Sequence, residues 1–343
     1  MSSLLLRQLR PEHRGSTQAH TECGREALRC HGADDELEND PDGSTPAIRV
    51  AAAVRDAPPH PGLRDAYRQC REIARRHYEN FPVISFFLPK AELNALAAVY
   101  AFARSADDVA DEGALPAAER HARLGAMEEK LGKVSSGAPS DNPVFLALCD
   151  ALTRFEVPAA LLSDLLKAFH MDVDHVQPRL FEDLLTYSRF SANPVGRIVL
   201  RVFRYRNDAM DELSDRICTG LQLANFWQDL SVDLPQGRVY LPVDEMEKAG
   251  YNDQRLRQYV IDEDFRRMMR RLIDRTEELF EEGKPLLRMV RGSLRLQLGA
   301  TWLGGRKILE LIRKADYDVL HHRPRIHTRH AVSMIPRILF PIS

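Results

Sequence analysis

Apolar residues recur at spacings of three and four along most of the chain after residue 60, the spacing of one buried helix face. Residues 91–111 are the clearest case, with apolar positions at Leu93, Leu96, Val99, Tyr100 and Ala103. The same pattern predicts helices over 62–78, 116 onward, 141–155, 158–174, 181–190, 194–203, 208–230, 243–249, 254–282, 284–293 and 294–315. No alternating strand of useful length occurs, so the sequence predicts an all-α, single-domain protein.

The two ends of the chain differ from this helical region. Residues 1–60 mix Gly, Pro and charged residues without periodicity, and too few apolar side chains are available to offset the entropy of ordering. We therefore expect a disordered extension at 1–60, a helical domain over 61–318 and a basic, apolar tail over 319–343. The histidine-rich part of the tail is typical of a solvated segment, and its apolar end could touch an anionic membrane surface.

Composition narrows the class of protein. Lys and Arg number 48 and Asp and Glu number 50, which gives a net charge of −2. This balance gives no sign of the basic surface that binding to nucleic acid requires. The 5 cysteines form no C-x-x-C pair, which favours a reducing cytoplasm. No segment reaches transmembrane length, and no G-x-G-x-x-G motif supports a nicotinamide-binding unit. The expected location is the cytoplasm, with peripheral contact at the inner face of the membrane as an option.

Carboxylates are concentrated on two of the predicted helices. Asp107 and Asp111 lie at i and i+4 in a D-D-x-x-D motif that also contains Asp108. Further along the chain, Asn225, Asp229 and Asp233 repeat the same spacing. Side chains at i and i+4 share one helix face, so each set forms a row of oxygen donors. Both rows lie among apolar residues, where grouped carboxylates need a cation.

Hard oxygen ligands in such groups suit Mg²⁺, which also binds phosphate oxygens. Two facing rows could hold Mg²⁺ and a diphosphate, with Arg104 contacting the departing oxygens. A plainer interpretation is that the aspartates form solvated helix faces or helix caps. For D-D-x-x-D alone the two interpretations are about equal, but two such rows in one helical chain favour the metal site.

These motifs resemble those of the squalene and phytoene synthase family, over about residues 66–317. The resemblance also rests on Leu221-Gln-Leu-x-Asn225 and on Gly237-Arg238-Val-Tyr240-Leu-Pro242. It implies an isoprenoid-synthase helical bundle around a central cavity, with Mg²⁺ held by the acidic helices. Transferred by position, it implies metal-site roles for Asp107, Asp108, Asp111, Asn225, Asp229 and Asp233. It implies substrate-side roles for His77, Tyr100, Arg104, Gln222, Arg238 and Tyr240.

Some positions depart from the family pattern. Gln228 stands where the second motif usually has an arginine, and Glu79 and Asn80 precede Phe81 where condensing enzymes usually have a base and a serine. Phe190 stands where many condensing members have a tyrosine. Each basic residue that is replaced weakens the binding of a second diphosphate. Together these positions resemble the hydroxysqualene synthase branch of the family.

That branch implies a reaction on presqualene diphosphate, a C30 isoprenoid diphosphate. Mg²⁺-assisted ionisation gives a cation that rearranges and is captured by water, without NADPH. Aromatic walls would stabilise the cation, and the candidates are Phe81, Phe190, Phe226 and Trp227. The candidates for positioning the capturing water are Glu79 and Asn193.

Three alternatives stay open at this point. One is a condensing enzyme that makes presqualene diphosphate or a phytoene-type product. A second is a class I terpene cyclase, whose metal motifs are similar. The third is a non-catalytic helical scaffold, which the intact acidic rows disfavour because they add repulsion without benefit. The sequence does not indicate the oligomeric state.

Overall fold

A computed structural model describes residues 61–76, 88–111, 115–138 and 140–327. These residues form α-helices and one short 3₁₀ turn, which confirms the predicted all-α class. The helices are α1 Leu63–Arg76, α2 Lys90–Asp111, α3 Ala117–Ser135, α4 Pro143–Phe155, α5 Ala160–Val173, α6 Phe181–Ser191, α7 Asn193–Val202, α8 Asp208–Gln228, α9 Leu230–Asp233, α10 Val243–Ala249, α11 Asp253–Arg257, α12 Glu263–Gly283, α13 Leu286–Met289 and α14 Gly292–Lys314.

Several helices begin where a polar side chain satisfies exposed backbone N–H groups. The Asn142 amide oxygen accepts from the N–H of Val144, at the start of α4. Asn207 does the same at the start of α8, and Asp262 accepts from the N–H of Phe265 in α12. The caps of α8 and α12 fix the start of the helix that leads into the second acidic row and of its packing partner.

The predicted helix over 254–282 is wrong as a single element. The structure divides it into α11 and α12. Tyr259 lies at φ 55, in the left-handed region that ends a right-handed helix. Asp262 then caps the next helix, so the polar residues between the two helices serve as a turn. The predicted helix over 284–293 is likewise reduced to the single turn of α13.

Two hydrophobic clusters make up the described core. The first contains buried residues of α1 to α5, and the second contains those of α6, α8, α10, α12 and α14. Helix α7 joins them, since Leu200 belongs to the second cluster while Ile198 and Val202 belong to the first. The first acidic row is on α2 and the second is at the end of α8, so each cluster supplies one row.

Helix α8 packs closely on α12 because Gly283 has no side chain. A Cβ atom at Gly283 would lie 2.5 Å from Cγ1 of Ile217 and 2.9 Å from the carbonyl oxygen of Leu213. We expect Gly283→Ala to lower the free energy of unfolding by about 1–3 kcal/mol, because the backbone of α8 cannot easily move away. Urea unfolding measures the change.

Gly299→Ala is the control for this prediction. Gly299 lies within α14, and a Cβ there would meet nothing within 4 Å. Alanine is the better helix former, so this variant should be as stable as the parent or more stable. Equal stability of the two variants would contradict the close packing of α8 and α12.

None of the described helices is long and apolar enough to cross a membrane.

Candidate active site

The first acidic row lies on the last two turns of α2, in the first hydrophobic cluster. Asp107 is only 2% exposed, and its carboxylate accepts a hydrogen bond from Nη1 of Arg104 at 2.9 Å. Nη2 of Arg104 also pairs with Asp108, whose side chain is the more exposed of the two. Because Arg104 lies one turn before both aspartates, the helix itself brings the guanidinium to them.

The second acidic row begins in α8 and continues across a break in the helix. Helix α8 ends at Gln228, and Asp229 is its cap rather than an interior residue. The N–H of Asp229 nevertheless donates to the carbonyl of Asn225 at 3.0 Å, and the N–H of Asp233 donates to that of Asp229 at 2.9 Å. These bonds keep the three side chains in helical register, and all three residues are buried.

Arg238 connects the two rows. Its backbone N–H donates to the carbonyl oxygen of Asp233 at 3.0 Å, and its Nη2 lies 2.5 Å from Oδ1 of Asp111. The side chains of this Arg238–Asp111 pair are 15% and 6% exposed. Tyr240, two residues further on, lies in the electrostatic field of both Asp111 and Asp233. Asp111, at the end of the first row, and Asp233, at the end of the second, are therefore both within reach of one arginine.

A second arginine reaches the site from the C-terminal segment. Nε of Arg323 lies 2.5 Å from Oδ1 of Asp229, and its Nη2 lies 3.2 Å from Oδ2. Next to it, Nε2 of Gln228 donates to the carbonyl of Pro324 at 2.6 Å. The prediction that the histidine-rich part of the tail over 319–343 is solvated is therefore wrong for Arg323 and Pro324, because a buried carboxylate attracts the guanidinium. Basic residues near the C-terminus were the only sequence signal for this contact.

The donor chemistry of the rows fits Mg²⁺. Asp107, Asp111, Asn225, Asp229 and Asp233 offer buried or nearly buried oxygen atoms, the ligands that Mg²⁺ prefers. In this structure arginines engage Asp107, Asp111 and Asp229. Among the described residues no group of three or more acidic, histidine or cysteine side chains is arranged to hold one ion. Metal coordination therefore stays a prediction and would require these guanidinium groups to turn away.

Aromatic rings lie beside the carboxylates. The rings of Phe226 and Tyr240 stack at 4.0 Å between centroids, and Tyr187 lies 5.8 Å from Phe226. Tyr187 and Tyr240 also line a cavity of about 320 Å³ together with Asp172 and His175. The aspartates of the two rows do not line this cavity. The loop between α5 and α6 supplies much of its lining, and Tyr240 is the lining residue that lies in the field of Asp111 and Asp233.

Three of the residues chosen from the sequence have their described contacts with residues outside the acidic rows. Phe190 is half-buried, with Nζ of Lys167 5.5 Å from its ring centre. Trp227 is core, and its Nε1 donates to Oγ1 of Thr276 in α12 at 2.9 Å. Asn193, a candidate for positioning water, accepts from Oγ1 of Thr219 at 2.9 Å.

Other chosen residues lie near the rows or outside the described part of the chain. Tyr100 is buried one turn before Arg104, and Gln222 is fully buried one turn before Asn225. His77, Glu79, Asn80 and Phe81 lie outside the described residues. The sequence reasoning missed Asp172, His175, Tyr187 and Arg323, because none of them belongs to a short motif with metal spacing.

His175 holds the backbone that leads to Tyr240. Its Nε2 accepts from the N–H of Val239 at 3.2 Å, and its ring meets that of Tyr240 edge-on at 5.0 Å. Burial, with the nearby charge of Arg238, lowers the pKa of His175 below its ordinary value. Burial and His121 lower the pKa of His170 in the same direction. The folded state therefore favours both neutral rings.

We expect the thermal unfolding midpoint to fall as the pH drops from 7.5 to 5.5. The unfolded chain binds protons below about pH 6.5 more readily than the folded one, so this stabilisation is complete above that pH and is lost below it. His175→Asn should show a smaller fall, whereas His322→Asn, at an exposed histidine, should behave like the parent. Identical pH profiles for the parent and His175→Asn would contradict the role of the neutral ring.

Comparison with known proteins shows which family the chain resembles. Residues 74–330 match the family model described as squalene/phytoene synthase. The 15-cis-phytoene synthase of Synechococcus elongatus is 29% identical over 286 residues, 80% of this chain and 92% of its own. The hydroxysqualene synthase of Sinorhizobium fredii is 32% identical over 249 residues, 72% of this chain and 83% of its own.

Among solved structures, squalene synthase HpnC from Alicyclobacillus acidocaldarius superposes with a TM-score of 0.72 at 36% identity. The match covers 78% of this chain and 98% of that one. The family model covers most of the helical region, including both acidic rows, Arg238 and Arg323. This chain belongs to the squalene/phytoene synthase family, whose members are enzymes that process prenyl diphosphates.

Proposed function

We propose that this protein ionises presqualene diphosphate in a Mg²⁺-dependent reaction and that water captures the rearranged cation to give hydroxysqualene. The observation that carries the ionising role is the contact of Arg238 with Asp111, which brings the ends of the two acidic rows together. A site of this kind combines oxygen donors for a divalent metal with guanidinium groups for a diphosphate.

The residues of the chain would act mainly on the leaving group. Arg104, Arg238 and Arg323 each neutralise a carboxylate in this structure, and each could turn to diphosphate oxygens once the carboxylates bind cations. Mg²⁺, held by the two rows, would supply further charge neutralisation as the C–O bond breaks. Guanidinium groups suit this task because their fork of donors matches phosphate oxygens.

The overall chemistry needs no reductant. The C–O bond to diphosphate breaks with its electron pair on the diphosphate, and the carbon skeleton rearranges as a cation. A water oxygen then forms the new C–O bond, and its proton leaves to diphosphate or solvent. The rings of Phe226, Tyr240 and Tyr187 would stabilise the cation through their π-faces.

One part of the sequence argument for this reaction needs revision. Gln228 in place of the usual arginine suggested a lost cation, but Arg323 brings a guanidinium to the neighbouring Asp229. The choice of presqualene diphosphate therefore rests on other support. That support is the 32% identity to a hydroxysqualene synthase, together with Glu79 and Asn80 before Phe81.

Condensation of two prenyl diphosphates is the second candidate. It is favoured by the likeness to 15-cis-phytoene synthase, which spans 92% of that protein. The same site would serve it, because condensation also begins with ionisation of a prenyl diphosphate. The two candidates differ in substrate and product, so a product assay separates them.

The test supplies purified protein with Mg²⁺ and farnesyl, geranylgeranyl or presqualene diphosphate, without NADPH, and identifies products by mass spectrometry. Hydroxysqualene from presqualene diphosphate, with ¹⁸O incorporated from labelled water, is the expected result. Formation of presqualene diphosphate or a phytoene-type product from C15 or C20 diphosphates would replace this proposal with condensation. A cyclic terpene would indicate a cyclase, and no turnover at all would favour a non-catalytic scaffold.

A further inference from the structure

Asp172 is a buried carboxylate that belongs to neither acidic row. It lies in the last turn of α5 and is 5% exposed. Its Oδ1 accepts a hydrogen bond from the hydroxyl of Tyr187, on the neighbouring α6, at 2.7 Å. This bond joins the end of α5 to α6 and fixes where the Tyr187 hydroxyl lies.

The charge of Asp172 acts on the residues that connect the acidic rows. Burial, followed by Asp172 and Asp233, raises the pKa of Tyr240 well above its usual range. Asp172 also contributes to the field at Arg238, the residue paired with Asp111. The carboxylate is thus electrostatically coupled to the site although its side chain is outside the metal-binding motifs.

Asp172 and the two tyrosines near it line the same cavity. Asp172, Tyr187 and Tyr240 all line the cavity of about 320 Å³. The rings of Tyr187 and Tyr240 lie 6.4 Å apart, and Phe226 stacks on Tyr240 at 4.0 Å. A phenol that donates to a carboxylate has a more electron-rich ring, and such rings attract cations through their faces.

We propose that Asp172 is a positioning residue that fixes the Tyr187 ring beside the carbocation formed when diphosphate leaves and makes that ring more electron-rich. It acts through Tyr187, from whose hydroxyl it accepts a hydrogen bond. This inference rests on the proposed function only in requiring that a prenyl diphosphate is ionised at this site. It applies equally if the substrate proves to be a pair of C15 or C20 diphosphates.

The test compares Asp172→Asn, Tyr187→Phe and the double variant, using whichever prenyl diphosphate the parent protein consumes. Asp172→Asn keeps the shape and removes the charge, and Tyr187→Phe removes the hydroxyl and keeps the ring. We expect kcat to fall about 10- to 100-fold in Asp172→Asn with KM changed less than about threefold, because the loss falls on the transition state. The double variant should lose little more than the worse single variant.

Asp211→Asn is the matched control. Asp211 is a buried carboxylate too, 4% exposed and paired with Arg201, but it lies near the start of α8. This variant should lose thermal stability while its kcat stays within about twofold of the parent, because no group of the site depends on it. Circular dichroism and the unfolding midpoint of every variant show whether it is folded.

The outcomes separate this inference from the proposed function. If folded Asp172→Asn and Tyr187→Phe both turn over within twofold of the parent, Asp172 has no positioning role. Additive losses in the double variant, or an equal kcat loss in Asp211→Asn, would overturn it as well. If the parent condenses farnesyl diphosphate and ignores presqualene diphosphate, the proposed function fails. The role of Asp172 is then decided with farnesyl diphosphate.

Discussion

Asp229→Asn lowers kcat by at least about 100-fold while the fold is kept, if the second row holds the metal and diphosphate as proposed. Asparagine has almost the same shape but cannot neutralise a divalent cation as well as a carboxylate. The loss should follow Mg²⁺ concentration, so that raising Mg²⁺ recovers part of the activity. Steady-state turnover across a Mg²⁺ series measures both effects.

Asp253→Asn is the control for this experiment. Asp253 also pairs with an arginine, Arg257, but it lies on the exposed α11 with a side chain 54% exposed. This variant should keep the kcat and the Mg²⁺ dependence of the parent, because exposed ion pairs contribute little. Near-normal turnover of Asp229→Asn would contradict the metal role of the second row and with it the proposed reaction.

Arg238→Gln should reduce kcat/KM by about 10- to 100-fold, the second largest effect that we expect. The substitution removes the charged contact with Asp111 and leaves two buried acidic rows without the cation between them. Arg238→Lys should recover part of the loss, since a charge remains without the planar fork of donors. Initial rates over a range of substrate concentrations give kcat and KM separately.

Arg197→Gln provides the comparison for Arg238→Gln. Arg197 forms a two-bond contact with Asp215, with Nε at 3.0 Å from Oδ1 and Nη2 at 2.6 Å from Oδ2. It links α7 to α8 away from the acidic rows. We expect its kcat/KM to stay within about twofold of the parent. Similar losses in both variants would mean that the effect of Arg238→Gln is a general loss of packing.

The second acidic row illustrates what spacing alone can predict. The i,i+4 pattern of Asn225, Asp229 and Asp233 indicates a shared face, and the backbone bonds of the structure keep that register. The pattern does not reveal that the helix ends at Gln228, because a cap residue and an interior residue can carry the same aspartate. Local spacing therefore predicted which side chains are grouped, but not the backbone that holds them.

The limits of the sequence are clearest for Asp172 and Arg323. Asp172 has its hydrogen-bond partner 15 residues away, and Arg323 has its partner 94 residues away. No periodicity connects such pairs, because their contact depends on how whole helices pack. Phe190 stands where many condensing members have a tyrosine and is half-buried, with Nζ of Lys167 5.5 Å from its ring centre. Its place on a cavity wall stays a prediction.

The amino-acid sequence by itself determined the helical class, most helix positions and the two sets of grouped carboxylates. These features follow from local rules, since the helix repeat and its capping residues act within a few positions of the chain. Only the tertiary structure decided that Arg238 joins the rows, that Arg323 reaches Asp229 and that Asp172 holds Tyr187. Those contacts cross between separate helices, and their geometry is set by the packing of the two hydrophobic clusters on α7.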